Sequence, residues 1–222
     1  MAMPSLFGAR KAIQETYFLS LYITEELVQA AVWGIKQSQI DIISRSQPHR
    51  YTNQKEAVAK TDEALQELSK ESEQTNKVVF GFDASWIRQT SVTDDHKNLV
   101  KAITTELNLE PLGFVSTSES LVQQLISDQP RLSAVVLFFH QDLVSLFLLR
   151  NGKLAAYVDS PRSEDAIADV REGLLRLVKQ ADSDEYLPSQ ILLVRASLFD
   201  EQLTAQQPKL MAYDFSQEQR FV

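Results

Sequence analysis

The hydrophobic pattern is clearest between Leu132 and Val158. Two apolar runs of strand length are separated by His140-Gln141-Asp142, and a third run follows Arg150-Asn151-Gly152-Lys153. An Asn-Gly pair favours a tight hairpin, because both central residues of a primed turn need positive φ. Both faces of the two longer runs are apolar, which is typical of strands in the middle of a sheet. The pattern therefore predicts a β-meander covered by helices on each face.

A second meander is predicted earlier in the chain. Its three runs are Tyr17–Ile23, Leu27–Trp33 and Gln39–Ser44, separated by Thr24-Glu25-Glu26 and by Lys36-Gln37-Ser38. The order of the runs and the spacing of the turns match those of the segment 134–158. The two meanders indicate an internal duplication at the level of architecture.

The rest of the chain alternates between helical and strand periodicity. Helices are predicted at Lys55–Glu73, Asp94–Leu107, Ser118–Ser127, Ser163–Gln180 and Leu198–Gln206. Further strands are predicted at Lys77–Phe82, Pro111–Val115, Gln190–Val194 and Lys209–Phe215. Ser118 and Ser163 are the expected N-caps of their helices. The core face of the helix at 163–180 is expected to comprise Ile167, Val170, Leu174, Leu175, Leu177 and Val178.

This order is βββαβαβα followed by βββαβαβ, and it predicts an α/β protein with mixed sheets flanked by helices. We expect a flexible leader at residues 1–15, a first subdomain at 16–130 and a second at 131–222. Pro130 marks the end of the first half.

Composition narrows the possible functions. The net charge of −8 without a cluster of Lys and Arg excludes general nucleic-acid binding. The chain has no cysteine, which excludes disulfides and thiolate metal sites and suits a reducing cytosol. Three polar residues interrupt the longest apolar run, so no membrane span is expected, and no signal peptide is visible. The six glycines are few for a fold that wraps phosphates in Gly-rich loops.

A few individual residues are candidates for chemistry. His140 and Asp142 could form a metal or acid–base pair, but polar residues of a hairpin turn are the favoured interpretation. The segment Asp83-Ala84-Ser85-Trp86 could line a cleft, although Trp86 is expected to anchor a loop. Arg195 could form a salt bridge with Asp142 or Asp159. No serine nucleophile is expected, because none of the candidate serines lies in a Gly-x-Ser-x-Gly elbow. These candidates are Ser20, Ser118 and Ser197.

The two halves resemble the actin-like, ribonuclease H-like ATPase fold shared by actin, Hsp70, the sugar kinases, FtsA and PilM. The first motif of that family, Leu-Asp-Ile-Gly-x-x-x-Val, falls on residues 21–28. The second, Val-Asp-Ile-Gly-x-x-x-Thr, falls on residues 137–144, and the Asn-Gly-Lys-Leu that follows it is kept at 151–154. The adenosine segment, a strand running into Val-Gly-Gly, falls on Leu193-Val194-Arg195-Ala196-Ser197.

The resemblance implies that Tyr22 and Phe138 stand where the family has metal-binding Asp residues. Side chains replace the phosphate-contacting glycines or crowd the nucleotide at four further positions, namely Thr24, His140, Arg195 and Ala196. The six positions therefore predict a vestigial nucleotide site with no cofactor, no metal and no catalytic residue. On this interpretation the chain is a pseudo-ATPase and not an enzyme.

The expected function is that of a non-catalytic protein-interaction scaffold, such as a platform component of a type IV pilus, a secretion system or a division-type assembly. GspL and PilM are the precedents that the resemblance suggests. The expected partners are a protein, or a peptide from an inner-membrane protein, and further copies of the chain. The expected location is the cytoplasm, with attachment to a membrane through a partner or through a region beyond Val222. The alternative is an ATPase or phosphotransferase of the same superfamily that binds nucleotide through replaced motifs.

Overall fold

The computed structural model describes residues 16–36, 39–88, 90–181, 186–195 and 201–215. The expected leader at 1–15 and the predicted site residue Ala196 lie outside these residues. Contacts divide the chain into two compact units, Met1–Phe80 with Asn98–Gly113 and Gly81–Lys97 with Phe114–Val222. Residues 114–130 thus group with the second unit. The subdomain boundary at residue 130, drawn from the sequence repeat, stays a prediction.

Eight strands occur among the described residues before residue 117. They are β1 (Thr16–Ile23), β2 (Leu27–Lys36), β3 (Gln39–Arg45), β4 (His49–Arg50), β5 (Lys77–Phe82), β6 (Ile87–Arg88), β7 (Ser91–Val92) and β8 (Glu110–Ser116). Six of them form one sheet in the order β3-β2-β1-β5-β8, with β4 paired to β2, while β6 and β7 form a separate hairpin. Strands β1, β2 and β3 are antiparallel neighbours, which confirms the first predicted meander.

Three helices connect these strands: α1 (Gln54–Gln66), α2 (Asp94–Glu106) and α3 (Thr117–Asp128). The predicted end of α1 at Glu73 is wrong, and a short 3-10 helix at Lys70–Gln74 follows instead. The Ser69 N–H donates to the hydroxyl of Ser44 on β3 at 2.9 Å, and this tertiary bond draws the chain away from the helix axis.

The predicted N-cap of α3 at Ser118 is also wrong. Ser116 caps the helix, because its hydroxyl accepts a hydrogen bond from the N–H of Glu119 at 3.5 Å. Ser118 lies inside the first turn, fully buried, with its hydroxyl 3.1 Å from that of Ser116.

The second sheet contains β9 (Ala134–Phe139), β10 (Leu143–Arg150), β11 (Lys153–Pro161) and β12 (Ile191–Arg195) in the order β11-β10-β9-β12. Strand β12 is parallel to β9, and the other pairs are antiparallel. Asn151 and Gly152 both have positive φ, 49° and 68°, which confirms the predicted Asn-Gly turn. The second meander is therefore confirmed as well.

Helices cover both faces of this sheet, as predicted. Two more helices are present here, α4 (Ala166–Ala181) and α5 (Glu201–Ala212). On one face Leu137 and Leu146 pack in a cluster with side chains of both helices, including Leu174 and Leu203. On the other face Phe138 and Phe147 pack in a second cluster with Val122 of α3. Every residue of β9 is buried.

The predicted last strand, Lys209–Phe215, is wrong, because residues 201–212 form α5. Leu203 and Leu210, seven positions apart, are both buried on this helix. Gln206 also accepts a hydrogen bond from the N–H of Ala166 at 2.8 Å. Non-local contacts with α4 therefore stabilise a helix where short-range alternation suggested a strand. The second half thus reads βββαβα in the described residues.

Helix α4 begins three residues later than predicted, at Ala166. Its first turn is capped by Asp165, which accepts from the N–H groups of Ile167 and Ala168 at 3.0 and 3.2 Å, so the predicted cap at Ser163 is wrong. Leu175, expected in the core, is 48% exposed. Among the described residues, no helix is long and apolar enough to cross a membrane.

Candidate functional site

Two of the predicted nucleotide-site residues belong to the first unit. Tyr22 lies on β1 opposite Gln29 and is half-buried. Thr24 is buried in the turn after β1, where its hydroxyl accepts from the N–H of Glu26 at 3.4 Å and its carbonyl accepts from the hydroxyl of Tyr51. Its N–H donates to the carbonyl of Leu27 at 2.9 Å. The polar groups of this turn are therefore satisfied by the turn itself and by Tyr51.

The remaining predicted residues belong to the second unit. Phe138 is buried in β9, and its ring stacks on the imidazole of His140 with 4.8 Å between centroids. Arg195 ends β12 in register with Phe139. The interpretation of these positions as a vestigial nucleotide site stays a prediction.

His140 lies in the hairpin turn between β9 and β10, as the favoured interpretation has it, but only 2% of its surface is accessible. Its expected companion Asp142 does not contact the ring. Instead, Nδ1 lies 3.5 Å from Oδ1 of Asp83, a buried carboxylate directly after β5. Nε2 lies 3.2 Å from the hydroxyl of Ser145 on β10. The imidazole thus contacts the strand that follows its own turn and, through Asp83, a segment distant in sequence.

The chain of polar contacts continues from Ser145 to the surface. Ser145 donates to Oδ1 of Asp159 on β11 at 2.6 Å, and the hydroxyl of Tyr157 donates to Oδ2 of the same carboxylate. Burial raises the pKa of Tyr157 above its ordinary value of 10.0, and the hydrogen bond to the ionised Asp159 raises that pKa further. Both oxygens of Asp159 are thus held by hydroxyl donors.

The hydrogen bond from Ser145 to Asp159 limits how His140 can contact Ser145. The hydroxyl of Ser145 has a single proton, which it donates to Asp159. Nε2 of His140 is then placed to donate to Ser145, and Nδ1 faces Asp83. The 3.5 Å separation is too long and poorly aligned for a hydrogen bond, and Nδ1 is a buried atom without a hydrogen-bond partner. Burying a polar atom without a hydrogen-bond partner costs folding free energy, so such an atom in a native protein calls for an explanation such as a functional role.

A cavity of about 790 Å³ lies within the second unit, next to this polar chain. Tyr157 and Asp159 contribute to its wall from β11. Glu119 and Ser116 contribute from the first turn and cap of α3, and Ala84 follows Asp83 on the opposite side of the chain of contacts. The expectation that the segment after β5 lines a cleft is confirmed for Ala84, while Trp86 is fully buried.

The cavity brings together two carboxylates of different character. Asp159 is held in place by its two hydroxyl donors. Glu119 is exposed, and its carboxylate has no hydrogen-bond partner among the residues described. Its negative charge contributes to the raised pKa of Tyr157, which places the two side chains within electrostatic reach of each other. One fixed and one free carboxylate can orient a ligand and accept a proton, respectively.

Sequence reasoning missed Glu119 and considered Asp159 only as a partner of Arg195. The signal that could have found Glu119 is its position three residues after the helix cap, which directs it to the helix entrance. No sequence signal links Asp159 to His140, because the contact passes through Ser145 on a neighbouring strand. The described residues contain no cluster of three or more metal-ligating side chains.

The serines behave as structural residues. Ser118 is fully buried and bonded to Ser116, and Ser20 is half-buried on β1. Ser197 lies outside the described residues. A second, apolar cavity of about 290 Å³ lies beside β12 and includes Leu193 and Met211 in its lining. Its mostly apolar lining offers fewer polar groups to a ligand than the lining of the cavity at Glu119.

Comparison with solved structures identifies the fold. One similar structure is an exopolyphosphatase from Cytophaga hutchinsonii, with 7% sequence identity, a TM-score of 0.56, and coverage of 91% of this chain and 74% of that chain. Another is a Bacteroides thetaiotaomicron protein described as having an actin-like ATPase fold and unknown function, with 13% identity, a TM-score of 0.52 and 88% coverage of both chains. No protein-family model and no curated protein sequence matches the chain. The chain has the actin-like ATPase fold, which confirms the predicted fold class.

The same comparison corrects one expectation. The prediction that the chain is not an enzyme was inferred from this fold and its lost motifs. That inference is wrong, because a solved structure with the same architecture belongs to an exopolyphosphatase. At this identity the likeness establishes the fold alone. The comparisons offer no support for the non-catalytic scaffold.

Proposed function

We propose that the chain is a phosphohydrolase or phosphotransferase that cleaves a phosphoanhydride, with its substrate bound in the cavity between α3 and β11. This is the enzyme alternative that the sequence left open, placed at a site other than the replaced motifs. The name of the similar Cytophaga hutchinsonii structure, an exopolyphosphatase, supports this substrate class.

One observation carries the proposal: the cavity of about 790 Å³ has Glu119 and Asp159 in the same lining. Phosphoryl transfer requires little covalent chemistry from the protein and depends on positioning and electrostatics. The N-terminal turn of α3 adds N–H groups and a partial positive charge at the cavity wall, which favours a phosphate. Ser116 and Ser120 supply hydroxyl donors beside it.

The two carboxylates take different roles. Glu119, with no hydrogen-bond partner in the described chain, is the general base that accepts a proton from the attacking water or alcohol. Asp159 is held by Ser145 and Tyr157, which keep its carboxylate in one position at the cavity wall. The carboxylate of Asp159 would hold Mg²⁺ that enters with the substrate phosphates, since Mg²⁺ needs only one or two protein carboxylates and keeps several waters and phosphate ligands.

The test is phosphate release from inorganic polyphosphate, ATP, GTP and p-nitrophenyl phosphate in the presence of Mg²⁺. We expect turnover of at least one phosphoanhydride, and E119Q is expected to lower kcat by about 10²–10⁴-fold. The matched control is E106Q, at an exposed glutamate that ends α2, which should retain wild-type kcat.

Thermal unfolding separates binding from turnover, because a ligand in large excess over its Kd raises Tm. Substrate should raise the Tm of wild type and of E119Q alike. The proposal fails if no substrate is turned over and none raises Tm, or if E119Q and E106Q have the same kcat. The predicted protein partner, the inner-membrane peptide and the cytoplasmic location stay predictions.

A further inference from the structure

His140 and Asp83 form a buried pair of titratable side chains that the proposed reaction does not use. Only 2% of His140 and 4% of Asp83 is exposed, and Nδ1 of the ring lies 3.5 Å from Oδ1 of the carboxylate. The burial of two such groups costs free energy, which their mutual attraction offsets only in part. Their presence in the core therefore calls for an explanation.

The other ring nitrogen extends this pair to a hydroxyl group. Nε2 lies 3.2 Å from Oγ of Ser145, so a carboxylate, an imidazole and a hydroxyl stand in the order that activates serine in many hydrolases. Ser145 is fully buried, however, which leaves its Oγ no surface for a substrate. Its hydroxyl donates instead to Oδ1 of Asp159 at 2.6 Å, and Asp159 lines the cavity of the proposed site. The series of contacts thus ends on a carboxylate of that site and not on a nucleophile.

The neighbours of the imidazole indicate which of its nitrogens donate. Ser145 uses its single proton on Asp159, so it offers only lone pairs to Nε2. The carboxylate of Asp83 offers lone pairs to Nδ1. An imidazolium has an N–H on both nitrogens and meets both neighbours with protons, whereas a neutral ring turns one of its own lone pairs toward an oxygen.

We propose that His140 is a positioning residue: its Nε2–H donates to Ser145 and so holds the Ser145 hydroxyl in the orientation that fixes Asp159 at the cavity wall. The effect on turnover rests on the proposed function, whereas the hydrogen bond itself does not. A hydroxyl that accepts one bond and donates another is held in one rotamer, and each bond strengthens the other. Without a donor at Nε2, the buried oxygen of Ser145 loses a partner and its hold on Asp159 weakens.

The imidazole is a fixed donor, because the turn after β9 holds it in place. The N–H of His140 donates to the carbonyl of Leu143 at 2.9 Å, and Nη1 of Arg162 donates to the carbonyl of His140 at 2.7 Å. The ring also stacks on Phe138 with 4.8 Å between centroids. Supporting contacts of this kind are what allow a side chain to position a neighbour.

The first experiment requires no activity. The ¹⁵N chemical shift of Nε2 shows whether that nitrogen carries a proton at neutral pH, and comparison with H140Q identifies its signal among the three histidines of the chain. We expect an N–H at Nε2. A lone pair at Nε2 would overturn the proposal.

The second experiment separates the two ring nitrogens by substitution. The amide nitrogen of Gln is as many bonds from the backbone as Nε2, toward Ser145, and that of Asn is as many bonds away as Nδ1, toward Asp83. Both variants lose the buried ring, so urea denaturation should show similar losses of stability. In crystal structures H140Q should keep the distance of 2.6 Å between Ser145 and Asp159, and H140N should lengthen it. An unchanged distance in H140N would contradict the proposal.

The third experiment measures turnover of the substrate identified above. H140N and S145A should each lower kcat/KM by about 10- to 100-fold, because Asp159 is then misplaced, and H140Q should restore most of the activity. The double variant H140N/S145A should lose no more than S145A, since both changes act through one hydroxyl. Equal activity in H140N and H140Q would show that the ring has only a structural role. If wild type turns over no substrate, the proposed function fails, while the ¹⁵N shift and the distance to Asp159 still decide the role of His140.

Discussion

The turns that follow the first strand of each meander differ in how the polar groups of their buried residues are hydrogen-bonded. Thr24 is buried, and its hydroxyl, carbonyl and N–H all take part in hydrogen bonds. His140 is buried too, but its Nδ1 has no hydrogen-bond partner and faces the carboxylate of Asp83. The two turns occupy corresponding places in the two meanders. The polar groups of the Thr24 turn are satisfied by the turn itself and by Tyr51, whereas the His140 turn is connected to a cavity through Ser145 and Asp159. On the proposed function, the reacting groups lie beside the second meander.

The largest expected effect concerns the turn that shapes the second meander. A Cβ on Gly152 would lie 2.1 Å from the carbonyl oxygen of Pro130, and φ at this residue is 68°. We expect G152A to lower the free energy of unfolding by about 3 kcal/mol, because strain and a backbone clash add. The measurement is urea denaturation.

The matched control for that change is G113A on β8, where nothing lies within 4 Å of the added Cβ. It should be within about 0.5 kcal/mol of wild type. Equal losses for the two variants would show that the Asn151-Gly152 turn does not constrain the second meander.

The second effect compares the two turns directly. H140A should cost about 2 kcal/mol of unfolding free energy, because it removes a buried ring and leaves Ser145 and Asp83 beside a void. T24V keeps the volume of the side chain and removes one long hydrogen bond, so it should cost less than about 1 kcal/mol. Urea denaturation of the two variants in parallel is the measurement. Equal costs would contradict the distinction between the turns.

The smallest effect is a dependence on alkaline pH. A raised pKa means that the folded state favours neutral Tyr157, so its stabilising contribution is complete below the ordinary value of 10.0. Above that pH the unfolded chain ionises first, and stability is lost as pH rises. The unfolding free energy of wild type should therefore fall more steeply above about pH 10 than that of Y157F. Parallel slopes would show that Tyr157 does not donate to an ionised Asp159.

Much of the fold could be predicted because local signals agreed with the final packing. Strand β5 and the Asn151-Gly152 turn are as predicted, since apolar runs and turn chemistry act over a few residues. Residues 201–212 were mistaken in part for a strand, because their fate depends on contacts of Gln206 and Leu203 with α4. Alternation over a short segment does not report such contacts.

Less of the candidate site than of the fold could be predicted from the sequence. The sequence suggested only Asp142, a neighbour along the chain, as a chemical partner of His140, and it favoured a hairpin turn over that pair. The structure pairs it with Asp83 and Ser145, which come from two other elements. Glu119 carried no motif, and only the entrance of α3 at the cavity gives it a role.

By itself, the sequence determined the two meanders, the α/β class with an actin-like duplication, and the absence of the glycines that cradle phosphates. These depend on periodicity and on residue types, which are local properties. Only the tertiary structure decided that a buried histidine joins β5, β10 and β11, and that two carboxylates share one cavity. Such contacts depend on which strands become neighbours, and sheet pairing is set by the packing of the whole core.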